Sequence, residues 1–390
     1  MRVSELTVFH VRIPLKRRVR HASHDRKQND AVVVRCRLDN GAIGWGEGLP
    51  RAYVTGETID TAWQHLTELD TTALAGRFED AEGLAALVRE IQLPRPSEQR
   101  DCFGNAARCA LELAILDAGC LSLNSTLSEF MRGLPESAGL TQRVEHVHYS
   151  AAITASRMLK VRIRAWLYRY YGFRQCKVKV GVRKNDARLL RIVRRIFGPK
   201  VALRIDANEA WHAEEVADKL SRLEKQGIDS VEQPVPHAEV RKLAQVRTQT
   251  PVPIMLDESL CSSSDADLAI ELGLCDAFNL RLSKCGGVIP TIELAQRARG
   301  AGLSYQLGCQ VGETGILSAA GRHFATTIAG LTAVEGSFDR FLVREPLTVE
   351  DLTFGKAGRA EALTGPGLGI TVQQRAVDRV TQRQMTLKVD

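Results

Sequence analysis

Aromatic residues make up only 5% of this 390-residue chain, and no basic stretch is interleaved with them. Stacking platforms for single-stranded nucleic acid are therefore lacking, and no nucleic-acid partner is expected. No uninterrupted apolar run is long enough to span a bilayer, and the opening MRVSELTVFHVRIPL alternates like a strand instead of forming a signal-peptide core. No membrane partner is expected. Low-complexity tracts and short solenoid repeats are also missing. The nine cysteines contain no CxxC pair and scatter through apparent strands and helices, which fits reduced thiols and a cytoplasmic protein better than a disulfide framework.

What remains is the composition of a globular enzyme, 44% hydrophobic and 25% charged, with a formal charge of +7. The positive balance includes a cluster of Lys, Arg and His between Lys16 and Lys27 and favours an anionic small molecule. The length suits a parallel barrel of roughly 250 residues plus a second module.

Residues 1 to 50 alternate with period two, and an Asp39-Asn40-Gly41 step between apolar runs signals a hairpin. Helical periodicity follows in ETIDTAWQHLTELD, EDAEGLAALVREIQ and GNAARCALELAILDAG. An α+β capping domain over residues 1–140 is expected, completed by a returning tail over about 345–390. Between them, 141–344 alternates strand and helix. The predicted strands are VHYSAAI, five segments with charged tips, LSYQLGCQ and LTAVEGS; EVRKLAQVRTQ reads as one of the helices. The fold class is α/β, a modified (β/α) barrel with a capping domain.

The charged tips carry the functional signal. CKVKV ends on Lys179, LRIDAN holds Asp206, SVEQP holds Glu232, IMLDES holds Asp257 and NLRLSKCGG holds Lys284, at intervals of 27, 26, 25 and 27 residues. That period is one strand, one helix and two turns, and such strands deliver their C-terminal ends to a common face. Any one of these acids could be a helix cap; three in register, flanked by lysines, point to a site. Asp206, Glu232 and Asp257 offer hard oxygen ligands suited to Mg²⁺, with Mn²⁺ a possible substitute. Glu258 points away from Asp257 by strand alternation. Lys177 and Lys179 share a face, and their like charges are expected to lower each other's pKa and free one as a base. Lys284 precedes Gly286 and Gly287, which allow close backbone approach. Lysines on both sides of a metal-bound carboxylate suit removal of its α-proton through an enediolate.

These motifs resemble the enolase superfamily and, within it, the muconate lactonizing enzyme subgroup, from GWGEG near the N-terminus to PGLGI near the C-terminus. The resemblance implies Lys179 as the base on one face, Lys284 as base or cationic stabiliser on the other, and Lys177 as the group that tunes Lys179. It implies that Asn208 and Asn279 line the site. SYQLGCQ has no His to replace Lys284, as mandelate racemase-like relatives would require. Dipeptide epimerases of the alanine-glutamate type carry an acidic DxD pair on the eighth strand; here VEGSFD gives Glu335 and then Ser337. Glu335 is expected to contact substrate or to bond a lysine.

Two capping loops are expected to supply specificity. HASHDRKQ brings His21, His24, Arg26 and Lys27, and LPRAYVTGE brings Arg51 and Tyr53, the latter two read as substrate contacts. Glu47 in GWGEG is either structural or turned towards the barrel mouth. The expected function is a cycloisomerase or an epimerase/racemase acting on a small carboxylate, in a homo-oligomer. The alternatives are a syn-dehydrating lyase and a non-catalytic barrel that binds a small anion.

Overall fold

The computed structural model describes residues 1–20, 25–154, 157–181 and 185–389. Three strands open the chain, β1 (Val3–Arg20), β2 (Asp25–Leu38) and β3 (Ile43–Gly48). The helices α1 (Ile59–Thr67), α2 (Ala81–Arg89), α3 (Asn105–Ser122) and α4 (Leu127–Gly133) follow. Then come β4 (His146–His148) and the barrel units: β5 (Ala151–Ile153), α5 (Met158–Tyr171), β6 (Gln175–Lys179), α6 (Asp186–Phe197), β7 (Ala202–Asp206), α7 (Ala213–Glu224), β8 (Ser230–Glu232), α8 (Leu243–Arg247), β9 (Ile254–Leu256), α9 (Ser263–Glu271) and β10 (Ala277–Leu280). The barrel continues through α10 (Leu282–Cys285), α11 (Val288–Gly300), β11 (Ser304–Leu307), α12 (Gly315–Thr327) and β12 (Leu331–Val334). A short α13 (Asp339–Leu342), β13 (Arg359–Glu361), α14 (Gln374–Val380) and β14 (Thr381–Lys388) complete the chain.

The eight strands β5 to β12 form one curled parallel sheet in sequence order. Its two edges meet where Ser150 N–H donates to Val334 O at 2.7 Å. β8 and β9 are buried along their whole length, as expected of strands covered on both faces. Outside the sheet, α6 presents an apolar stripe inward: it buries Leu189, Leu190, Val193, Ile196 and Phe197, and the Asn185 side chain caps it at Arg188 N. The capping sheet has the order β14-β1-β2-β3, so the tail returns to pair with the first strand.

Two elements differ from the sequence reading. VHYSAAI is two strands, because β4 pairs antiparallel with β13 while β5 starts the barrel. Between them Tyr149 N–H donates to Gly358 O and its ring stacks on Phe354, which turns the chain before Ser150. EVRKLAQVRTQ is a 3₁₀ turn over His237–Lys242 followed by the five-residue α8.

The GWGEG motif has a packing cause. Gly44, Gly46 and Gly48 point from one face of β3 onto α3, where a Cβ would collide with the backbone of Ala118, Ala110 and Ala106 respectively. Residues two apart on a strand advance about 6.8 Å and residues four apart on a helix about 6.0 Å, so the glycine row stays matched to the alanine row Ala106, Ala110, Ala114, Ala118 over its two steps. Gly46→Ala should therefore cost about 3 kcal/mol by overpacking, seen as a fall of several degrees in Tm; an unchanged Tm would mean that β3 and α3 separate freely.

Next to this seam Glu47 is structural. Its buried carboxylate accepts from Thr314 N, Thr314 Oγ1 (2.7 Å) and Leu317 N, tying β3 to the N-terminus of α12. Glu112 ties α3 to α11 in the same way, through Val288 N and Ile289 N. The cap is thus anchored on the helices that lie behind the C-terminal ends of β10 and β11.

Candidate active site

Strand register sets the first row of the site. Lys179 on β6 stands beside Asp206 on β7, and Asp206 beside Glu232 on β8. Asp257 follows β9 directly. One layer down, Lys177 stands beside Arg204. The backbone leaves these strand ends in left-handed conformations at Asn208 (φ 44°), Glu209 (φ 63°), Gln233 (φ 36°) and Ser337 (φ 54°), none of them glycine. Strain of this kind persists only where surrounding bonds hold it, and it gathers at functional sites.

Those bonds are visible. Gln233 Oε1 accepts from Asp257 N (2.9 Å) and Ser259 N (3.2 Å), while its Nε2 donates to Val235 O and Ser259 Oγ, both 2.8 Å. Asp257 is thereby fixed from the neighbouring strand. Asn208 N–H donates to Asp206 Oδ1 at 3.0 Å, which orients that carboxylate from its own loop. Asn279 Nδ2 donates to Glu232 Oε1 at 2.9 Å, and a Cβ at Gly308 would overlap the Asn279 amide, so glycine at 308 is what lets Asn279 lie there.

Lys177 does not behave as the sequence suggested. Its Nζ lies 3.2 Å from both Glu232 oxygens, 2.6 Å from Glu335 Oε2 and 3.7 Å from Asp206 Oδ2. Burial opposes its charge, but Glu232, Glu335 and Asp206 outweigh burial and raise its pKa above the ordinary lysine value. Lys177 is a cation clamped by carboxylates rather than one of two crowded amines. Glu335 also meets Arg204 at 2.9 Å, and although burial disfavours its charge, Lys177 and Arg204 hold its pKa below the usual carboxylate value. The eighth-strand acid is thus occupied in the barrel interior.

Lys284 is a second correction. β10 ends at Leu280, and Lys284 sits on the helical turn α10, wholly buried. Its Nζ donates to Asp257 O (2.7 Å), Asn279 O (2.7 Å) and Asp257 Oδ1 (3.0 Å). The cation at the strand end is Arg281, which sequence reasoning missed; it reaches Glu232 Oε1 at 3.4 Å and pairs with Asp257 Oδ2. Burial alone would push Asp257 towards its neutral form, but Arg281, Lys284 and Lys177 hold its pKa well below the usual range.

By contrast, among the described residues no hydrogen bond or ion pair engages Lys179 Nζ. The half-buried Lys179 closes one end of the row of carboxylates.

Arg51 is engaged within the protein itself. It is buried, and it donates to Pro50 O (2.7 Å), Val311 O (3.1 Å), Asp30 O (3.3 Å) and Asn29 Oδ1. Its role is to tie the cap to the loop after β11. Tyr53 is half-buried, packs on Val54, Cys102 and Cys261, and lies under Arg26 at 5.4 Å. The two capping loops meet through this pair. His21 and His24 lie outside the described residues.

The carboxylates as folded are turned onto Lys177, Arg281 and Lys284, and among the described residues no group of three or more His, Cys, Asp or Glu is gathered to hold a metal. The donor chemistry nevertheless suits a hard divalent ion: three carboxylates from successive strands, with no sulfur or imidazole among them. Glu232 is pushed above its ordinary pKa first by burial and then, against the pull of Lys177, by Asp206, Glu335 and Asp257. Asn279 Oδ1 beside it is buried without a hydrogen-bond donor. More positive charge would be accommodated here.

Comparison with known proteins agrees with this architecture. The enolase C-terminal domain-like family matches residues 160–376. An N-succinyl-L-Arg/Lys racemase of Bacillus cereus is 27% identical over 98% of both chains, and its crystal structure superimposes with a TM-score of 0.85 at 25% identity, covering 99% of this chain and 100% of that one. An L-Lys-D/L-Arg epimerase of Methylococcus capsulatus is 30% identical over 95% of this chain and 99% of its own length. A dipeptide epimerase from Cytophaga hutchinsonii, crystallised with Mg and a dipeptide, gives a TM-score of 0.84 at 24% identity and covers 99% of this chain and 100% of that one. The chain belongs to the enolase superfamily and, within it, to the isomerases.

Proposed function

We propose that this chain is a Mg²⁺-dependent isomerase that removes the α-proton of a small carboxylate substrate, with Asp206, Glu232 and Asp257 as the residues that hold the ion and Lys179 as the base. When bound, the ion supplies the positive charge that a substrate carboxylate needs as its α-proton becomes acidic. Lys179 accepts that proton at Nζ. Lys177 holds Glu232 in place and lends charge from below the row.

The observation that carries this reading is the contrast among the site's cations: Lys177, Arg281 and Lys284 are each engaged by carboxylates or carbonyls, and Lys179, in register with Asp206, is engaged by nothing among the described residues. The Mg in the Cytophaga hutchinsonii structure supports the choice of ion. The names of the relatives supply the probes, N-succinyl amino acids and dipeptides. Lactones belong beside them as cycloisomerase probes.

In deuterium oxide with Mg²⁺, deuterium should enter the α-position of at least one probe, and excess chelator should stop it. Replacement by Mn²⁺ should restore exchange. Exchange that continues undiminished in chelator would overturn the metal assignment.

A further inference from the structure

We infer that this site moves protons on one face of its substrate only, because the cation facing Lys179 across the carboxylates is Arg281. The inference rests on the proposed function and deepens it. β6 and β10 are four strands apart in a sheet of eight, so their ends lie on opposite sides of the barrel. Arg281 continues the strand in extended geometry (φ −136°, ψ 121°), and it lies two residues after Asn279, on the same face. Both side chains reach Glu232 Oε1, at 2.9 Å for Asn279 and 3.4 Å for Arg281. The pairing puts the guanidinium at the carboxylate row.

Lys284 cannot take that place. An ammonium has three donors, and those of Lys284 are matched by Asp257 O, Asp257 Oδ1 and Asn279 O, with the side chain fully enclosed. It staples the end of β9 to the end of β10. Its backbone carbonyl is in turn held by Asn105 Nδ2 from α3 at 2.8 Å, which anchors the turn from behind. Lys284 is a positioning residue for Asp257.

The chemistry follows from the difference between an amine and a guanidinium. A guanidinium keeps its charge and has no lone pair to offer as a base. The α-C–H bond breaks towards Lys179 Nζ, and the electron pair spreads into the carboxylate, with Arg281 as a fixed cation and donor on the far side. Inversion would require a proton from that far side, and Arg281 supplies none. The pair either recaptures the proton on the face it left, or forms a double bond by expelling an oxygen from the adjacent carbon. In the second case the C–O bond breaks, the oxygen leaves with its electron pair, and the Lys179 ammonium returns the proton to it. The substrate class is a carboxylate whose β-carbon carries the ring oxygen of a lactone, so that expulsion of the oxygen opens the ring and the product is an isomer.

The test uses the full-length protein with Mg²⁺ in deuterium oxide, and N-succinyl-L-lysine, N-succinyl-D-lysine and muconolactone as probes. Deuterium should enter without interconversion of the two succinyl-lysine antipodes, through one antipode at most, and Arg281→Gln should slow exchange at least tenfold, with some loss of Tm because Asp257 and Glu232 lose a buried partner. Lys284→Gln should lower Tm by several degrees and leave the one-sided pattern intact. Interconversion of the antipodes by the wild type, lost in Lys284→Gln, would make Lys284 the second base and overturn the inference. No exchange into any of the three probes or into the dipeptides would instead remove the α-proton reading itself, and this inference with it.

Discussion

Lys179→Ala should abolish α-deuterium incorporation, with a loss of about 10³-fold or more, while the protein stays folded. A positioned general base is worth roughly 10² to 10⁴ in rate, and no other amine in the site can replace this one. Lys177 is held 2.6 Å from Glu335 and 3.2 Å from both oxygens of Glu232; Lys284 is enclosed by two carbonyls and Asp257. Because Lys179 is half-buried and has no partner among the described residues, its removal breaks no ion pair, and Tm should move little. Lys179→Arg separates charge from basicity: it places a fixed cation beside Asp206 with no lone pair to offer. Both variants should bind Mg²⁺ and fail to exchange. Wild-type exchange in either one would show that Lys179 is not the base.

The barrel was legible because its repeat is a physical length. A strand, a helix and two turns consume about the same chain each time, so charged residues at strand ends recur at a near-constant interval. The same regularity misled at NLRLSKCGG. Continuing the interval selects Lys284, whereas the strand stops at Leu280 and a helical turn starts at Leu282, carrying Lys284 out of the row. Arg204 was readable in principle: it lies two residues before Asp206, as Lys177 lies two before Lys179, and the same alternation puts it on the barrel's inner face. The matched glycines of β3 and alanines of α3 were also present in the sequence, as periods of two and four. Arg51 had no such signal. A loop arginine looks the same in sequence whether it meets solvent or the carbonyl of Val311, 260 residues away. Glu47 is a similar case, since its donors at Thr314 and Leu317 are supplied by tertiary packing.

Glu232→Gln should weaken Mg²⁺ binding by about 10²-fold or more, read by calorimetry, or with Mn²⁺ by its magnetic resonance. Loss of a second-shell partner typically costs 10- to 100-fold in metal affinity, and Glu232 is assigned to the ion directly, on the central strand of the three that carry the carboxylates. The amide keeps the size of the side chain and an oxygen for Asn279 Nδ2, now at 2.9 Å, so the local packing has no cause to collapse. What changes is charge. Lys177 keeps Glu335 and Asp206 as partners, which should hold the folded state together. Glu335→Gln is the matched control: it removes the same charge from the same lysine, at a position assigned to the interior network with Arg204 instead of the ion. It should loosen Lys177 and cost stability but reduce Mg²⁺ affinity by much less than Glu232→Gln does. If the two variants lose affinity equally, the ion responds only to the total charge of the barrel interior and Glu232 is not a ligand; if Glu232→Gln binds Mg²⁺ as tightly as the wild type, the carboxylate row is an ion-pair network and the metal lies elsewhere.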